Sequence, residues 1–133
     1  AATRFKIASR IIDGLTAKGV KVEDIYVDPL IQPISVDTKN GLAAAETIRM
    51  VKESYPGVHA ICGLSNISFG LPERKLLNQA YLVVCATYGL DAVILDPEDK
   101  RIMALVYASE ALLNRDPYCG EYLKAYRKGF LKM

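Results

Sequence analysis

At 133 residues, with 51% hydrophobic and 24% charged side chains, the chain is sized for one core of ordinary dimensions and is too short for two. Seventeen basic against fifteen acidic residues leave a formal charge of +2, a balance that gives no warrant for nucleic-acid binding. No apolar run approaches the roughly 20 residues needed to cross a bilayer, and Cys62, Cys85 and Cys119 are too few and too scattered for a disulfide framework or a zinc spacing, so a reducing, cytoplasmic setting is expected.

The amino end carries no charged, then apolar, then small-residue leader. It runs instead into an amphipathic helix, Arg4 to Lys18, with Phe5, Ala8, Ile11, Ile12 and Leu15 on one face and Gly19 behind it as a stop. A chain that opens on a helix needing a core to cover it is expected to have lost something upstream. Ile25 to Leu30 reads as a first, β-branched strand; Pro29 and Pro33 limit its pairing and place Asp28 where the strand ends. After a polar loop, Gln32 to Asn40, a second helix is expected from Leu42 to Tyr55, with Leu42, Ala45, Ile48 and Val51 in register and Pro56-Gly57 as its stop.

The second strand starts at His59 and ends in polar groups. Gly63 to Gly70 offers a small residue that lets a ligand approach the backbone, two hydroxyls, one carboxamide and a flexible exit. Pro72 suits the first turn of a third helix that carries Glu73 and Arg74 at its start and stops at Gly89. Asp91 to Pro97 is a third strand, closed by Asp96 and Pro97 as the first is closed by Asp28 and Pro29. A fourth helix is expected from Glu98 to Leu113. Pro117 opens a last one bearing Tyr118, Tyr122, Leu123, Tyr126 and Phe130, with the basic cluster Lys124 to Lys132 as its polar face.

Strands that read as continuous apolar runs belong to a parallel sheet covered on both faces. Three of them, spaced about 35 residues apart, suit either a small open α/β sheet or a piece of a (β/α)8 barrel of about 250 residues, with right-handed crossovers in both cases. Ligands of such sheets bind at the carboxyl ends of the strands, which singles out Asp28 and the loop from Gly63 to Ser68. Each of these residues also has a plainer role. Ser65 and Asn66 can satisfy loop backbone, Asp28 can form the turn before Pro29, Asp96 can cap the fourth helix, and Arg74 can be a solvated helix position. His59 reads as structural, Cys62 and Cys85 as core thiols, and the tyrosines of the last helix as packing or interface residues.

At Gly63-Leu64-Ser65-Asn66-Ile67-Ser68, with Asp28-Pro29-Leu30 before it and Gly89-Leu90-Asp91-Ala92 after it, the chain resembles the methyltetrahydrofolate:corrinoid protein methyltransferases. Their pterin-binding TIM barrel is shared with cobalamin-dependent methionine synthase and is similar to dihydropteroate synthase. The likeness continues through Leu112-Leu113-Asn114, Tyr118-Cys119 and Tyr122-Leu123-Lys124, so it spans nearly the whole chain from about Glu23. The resemblance implies that residues 1–133 form the C-terminal half of that barrel, strands six, seven and eight with their helices. The family's first half carries further Asp and Asn side chains that hold the pterin, and no position here stands in for them.

The implied activity is transfer of the N5 methyl group of methyltetrahydrofolate to the cobalt of a corrinoid (cobalamin) carried by a partner protein. By residue-by-residue match, Asn66 is the catalytic candidate, a carboxamide that hydrogen-bonds N5 as charge develops there. Asp28 would accept hydrogen bonds from the pterin amide and exocyclic amine, Gly63 and Ser65 would line the ring, and Arg74 would sit near the pterin and p-aminobenzoate end. Dihydropteroate synthase instead predicts a Ser-Arg or Lys-Arg cationic pair where this chain has Ser65-Asn66. The other reading is a non-catalytic half barrel that binds pterin weakly or only assembles with a partner. Two open sheet edges further imply a homo-oligomer.

Overall fold

The structure is a computed structural model that describes residues 1–132. Eight main elements follow in order: α1 (Ala2–Ala17), β1 (Tyr26–Val27), α2 (Asn40–Ser54), β2 (His59–Gly63), α3 (Arg74–Tyr88), β3 (Ala92–Ile94), α4 (Lys100–Leu112) and α5 (Gly120–Arg127). The strands form one parallel sheet in the order β1-β2-β3. Tyr26 lies opposite His59 and Val27 opposite Ala60; Ile61, Cys62 and Gly63 lie opposite Ala92, Val93 and Ile94. All three strands therefore end on the same rim. Among the described residues no helix is long and apolar enough to cross a membrane.

The register sorts the strand side chains into two faces, because successive residues point to opposite sides. Ala60, Cys62 and Val93 face the helices, where they pack with Ala44 and Ile48 of α2, Tyr81, Leu82 and Cys85 of α3 and Ile102 of α4. A second cluster joins Ala8 and Ile12 of α1 to Ile25, Val51 and Val58. Ile12, Ile48, Val51 and Val58 are buried essentially completely, each stabilising the fold by about 1.5–3 kcal/mol relative to an exposed position. Tyr26, His59, Ile61, Gly63 and Ile94 lie on the other face, which no helix covers among the described residues: Tyr26 is 56% and Ile94 67% exposed. The expectation of a sheet buried on both sides is thus corrected. Continuous apolar strands do occur here, but helices shield only one face.

Several boundaries also differ from the sequence reading. β1 is two residues long, because Asp28 Oδ1 accepts the Leu30 amide proton at 2.8 Å and turns the chain ahead of its predicted end. The stretch after Gly63 is a 3-10 turn, Leu64–Ser68, with Leu64, Ile67 and Ser68 buried, rather than a wholly polar loop. Pro72 lies outside α3, which starts at Arg74 after Glu73 in left-handed backbone. Asp99, not Asp96, caps α4, its carboxylate accepting from the amides of Arg101 and Ile102 at 3.1 Å, while Asp96 only holds the turn at the Glu98 amide. Such a cap stabilises a helix by about 1 kcal/mol. α5 is preceded by a 3-10 turn, Pro117–Cys119, and ends at Arg127, so the basic run to Lys132 outlasts the helix.

α3 stops where the sequence places its stop. Gly89 has φ +117° and its amide donates to the Ala86 carbonyl, and Arg115 Nη2 and Nη1 add donors to the carbonyls of Ala86 and Leu90. At the opposite rim, Asp91 ties the two longer strands together. Its Oδ1 accepts from the Ala60 amide, and its Oδ2 meets Lys52 Nζ at 2.9 Å and His59 Nδ1 at 2.8 Å. Burial works to raise the Asp91 carboxyl, but the hydrogen bonds from Lys52, His59 and Ala60 outweigh it and hold the group below the usual carboxylate range. His59, whose ring also stacks on Tyr26 with centroids 4.5 Å apart, is structural as expected, with a partner 32 residues away.

Candidate functional site

The carboxyl rim of the sheet gathers the sequence candidates from two neighbouring strands. Gly63 ends β2 and is exposed, with backbone at φ −82°, ψ 101°, and a Cβ built on it would meet no atom within 4 Å. Open space above a strand end is what a flat ligand needs for close approach to the backbone. The 3-10 turn that follows lifts Ser65 and Asn66 onto the rim, both exposed, while Leu64 and Ile67 anchor it in the core.

Asn66 links this turn to the loop after β1, where its Nδ2 donates to the carbonyl of Ile31. That contact brings the Gly63–Ser68 segment beside the segment that starts at Asp28. Asp28 is itself exposed and carries the turn to Leu30, whose φ is +63°. It also lines a groove of about 590 Å³ beside the outer edge of β1, with Arg4, Ile11 and Tyr26. Gly63, Ser65 and Asn66 do not line that groove.

Arg74, on the first turn of α3, contacts the turn that carries Ser65 and Asn66. Its Nη2 donates to the Ser65 carbonyl at 2.8 Å and its Nε to Ser68 Oγ at 3.0 Å, and the guanidinium carbon lies 5.8 Å from the centre of the Phe69 ring. The side chain clamps the turn rather than reaching outward. Two partners of this clamp went unread as functional in the sequence. The buried Ser68 hydroxyl directs its proton between the Ser65 carbonyl and Asn78 Oδ1, at 3.0 and 2.7 Å. Asn78 lies one turn beyond Arg74, and that i, i+4 spacing on one helix face was the available signal.

The polar side chains exposed at this rim are the Asp28 carboxylate, the Ser65 hydroxyl and the Asn66 carboxamide, which together offer hydrogen-bond donors and acceptors. Among the described residues no group of three or more His, Cys, Asp or Glu side chains is placed to hold a metal ion.

The family model for pterin binding enzymes matches residues 5–96, a span that includes Asp28, Gly63, Ser65, Asn66 and Arg74. The chain belongs to the pterin binding enzyme family. Over 105 residues it is 39% identical to the methylcorrinoid:tetrahydrofolate methyltransferase of Eubacterium limosum, a match covering 79% of this chain and 39% of that protein. It is 34% identical over 119 residues to the methionine synthase of Mycobacterium tuberculosis, covering 77% of this chain and 10% of the synthase. The methionine synthase of Mycobacterium leprae is 34% identical over 122 residues, covering 86% and 9% respectively. The chain thus spans about two fifths of the length of one relative and about a tenth of the other two. The family read from the Gly-Leu-Ser-Asn-Ile-Ser block is the family found, and the three parallel strands with flanking helices have the layering of a barrel segment.

Proposed function

We propose that this chain is the C-terminal half of a pterin-binding barrel, strands six to eight, and that its rim binds the pterin of a tetrahydrofolate during methyl exchange with a corrinoid protein. The observation that carries the reading is the open floor at Gly63, flanked by Asn66 from the same strand end and by the Asp28 loop from the next. The uncovered sheet face supports the half-barrel part. So does the groove beside β1, along which Ile7 and Ile11 of α1 are 52% and 55% exposed. Unburied apolar surface of this kind favours association, with the rest of a barrel or with a second copy.

In the direction that starts from methyltetrahydrofolate, the N5–methyl bond breaks, its electron pair stays on N5, and the methyl carbon takes a new pair from its acceptor. The corrinoid of the partner supplies the cobalt that accepts or gives the methyl group. N5 is a poor leaving group unless protonated, so a group that steadies the proton on N5 lowers the barrier. With Nδ2 of Asn66 engaged by the Ile31 carbonyl, its carbonyl oxygen is the atom to accept a hydrogen bond from protonated N5. Asp28 orients the ring through its N–H pair, Gly63 admits it, Ser65 borders it, and Arg74 fixes the shape of the turn. The Eubacterium limosum relative is named for transfer from methylcorrinoid to tetrahydrofolate. The same contacts serve both directions, since forward and reverse steps share one transition state.

The second reading, a pterin-binding or assembling module without catalysis, draws support from the hydrogen bonds that Asp28 and Asn66 already make to backbone. Two variants separate the readings in the presence of a corrinoid protein. Asn66→Ala is expected to lower the rate of methyl transfer by about 10²-fold or more, with tetrahydrofolate affinity changed only a few-fold. Asp28→Ala is expected to weaken binding by about tenfold. Equal losses on both measures in both variants contradict these roles, and the absence of any methyl transfer by the wild-type chain leaves the module reading.

A further inference from the structure

The last helix, α5, is the most amphipathic of the five and the most polar on average. Such a helix ordinarily hides its apolar side in its own domain, yet α5 rests on α4 and buries only Ala125. By helical spacing Tyr122, Leu123 and Tyr126 share one side, with Arg127 at its border and Lys124 and Lys128 behind it. Tyr126 is 70% exposed, and Tyr122, Leu123 and Phe130 are exposed as well. The helix is thus a ridge on the helix layer whose apolar side its own domain leaves open.

The turn ahead of α5 adds one more ring to this side of the molecule. Tyr118 and Cys119 both hold left-handed backbone, with φ +58° and +56°, a conformation that side chains disfavour and that persists only where the surroundings impose it. Asp116 imposes it here. Its carbonyl accepts from the Cys119 amide, and its buried carboxylate accepts from the amides of Glu121 and Tyr122 at 2.9 Å. The product of this held turn is a Tyr118 ring that is 99% exposed.

Charge selects what can cover the ridge. Residues 117–132 hold four cations and one carboxylate, whereas the rest of the chain has thirteen basic and fourteen acidic side chains. Among the described residues Lys124 meets Glu121 at 3.5 Å, and Arg127, Lys128 and Lys132 are in no ion pair. A second copy docked through the same face would set these cations against each other. An acidic protein would need a groove cut to the ridge, while a lipid surface yields to projecting side chains, and tyrosine, with an apolar body and a wet hydroxyl, suits its headgroup layer. We infer that α5 lies on an anionic bilayer surface, with Tyr118, Tyr122, Tyr126 and Phe130 among the headgroups. Lys124, Arg127, Lys128 and Lys132 reach the lipid phosphates on their long stems. The attachment is to the surface only and is independent of the pterin reading.

Cosedimentation of the full chain with vesicles tests it, using phosphatidylcholine alone and a mixture of phosphatidylcholine with phosphatidylglycerol. The chain is expected to bind the mixed vesicles, to bind phosphatidylcholine far less, and to come off as salt rises. Lys124→Gln and Lys128→Gln are each expected to weaken binding by about fivefold, and Tyr126→Ser to weaken it as well, while Lys18→Gln on α1's far end changes nothing. All four positions are exposed, so melting temperatures stay at the wild-type value. No binding to the anionic vesicles, or binding indifferent to the α5 substitutions, overturns the inference. Self-association abolished by Tyr126→Ser, or capture of soluble polyglutamate, in a chain that ignores the vesicles likewise overturns it and assigns the ridge to a second copy or to an acidic protein.

Discussion

Gly63→Ala separates folding from binding at a single atom. The backbone there, φ −82° and ψ 101°, is open to any residue, and nothing within 4 Å obstructs a methyl group. Replacing glycine at such a position restricts the unfolded chain and stabilises the fold by about 0.4–1 kcal/mol, which raises the melting temperature by roughly 1–4 °C for a chain of this size. The added carbon stands about 1.5 Å from Cα, directly in the approach of a ring lying on the strand end. A bicyclic ring lifted off this floor loses a large part of the 0.1–0.2 kcal/mol that each of about ten atoms gains there, or about 1–2 kcal/mol in all, which is about tenfold in affinity. Thermal melts and calorimetric titration with methyltetrahydrofolate measure the two effects on the same sample. A variant that melts several degrees lower, or that binds with unchanged affinity, refutes the reasoning.

Two further outcomes concern the opposite rim and the open face. Because the Asp91 carboxyl is held below its ordinary value, its pairing with Lys52, His59 and the Ala60 amide stabilises the fold fully above the unfolded-state value of about 3.9 and is lost as pH falls through the folded-state value. Asp91→Asn is therefore expected to lower stability at neutral pH and to converge with the wild type in acid, as followed by urea unfolding across pH; a constant gap at every pH contradicts this. Ile94→Lys, on the uncovered sheet face, is expected to reduce self-association in sedimentation at high concentration without lowering the melting temperature, whereas a wild-type chain that stays monomeric throughout speaks against the open face as an association surface.

How much of this was legible beforehand follows the range of the interactions. Helices show in the 3.6-residue spacing of Ala8 and Ile12 or of Ile48 and Val51, and Gly19 and Gly89 mark helix ends by local backbone chemistry alone. The choice of Asp99 over Asp96 as a cap lay within three residues and was still missed, since Asp-Pro draws the eye to the earlier carboxylate. Contacts across the chain were not readable: His59 to Asp91, Asn66 to the Ile31 carbonyl, and Arg115 to the end of α3 join residues 25 to 35 apart. The one-sided cover of the sheet escaped too. Apolar strands promise burial, but the pattern does not say which molecule, or which part of one, provides it. At the site, the residue types were visible and their geometry was not: that Arg74 braces the turn carrying Ser65 and Asn66 depends on the fold of the 3-10 turn and not on local spacing.

The central claim, that the rim formed by β1 and β2 receives a pterin, is tested most directly by nuclear magnetic resonance titration of the isotopically labelled chain with methyltetrahydrofolate. Saturable shifts of the amide signals of Gly63 to Ser68 and Asp28 to Ile31 are expected, with the amides around His59 and Asp91 at the opposite rim unmoved. Shifts confined to other surfaces, or none at millimolar ligand, contradict it.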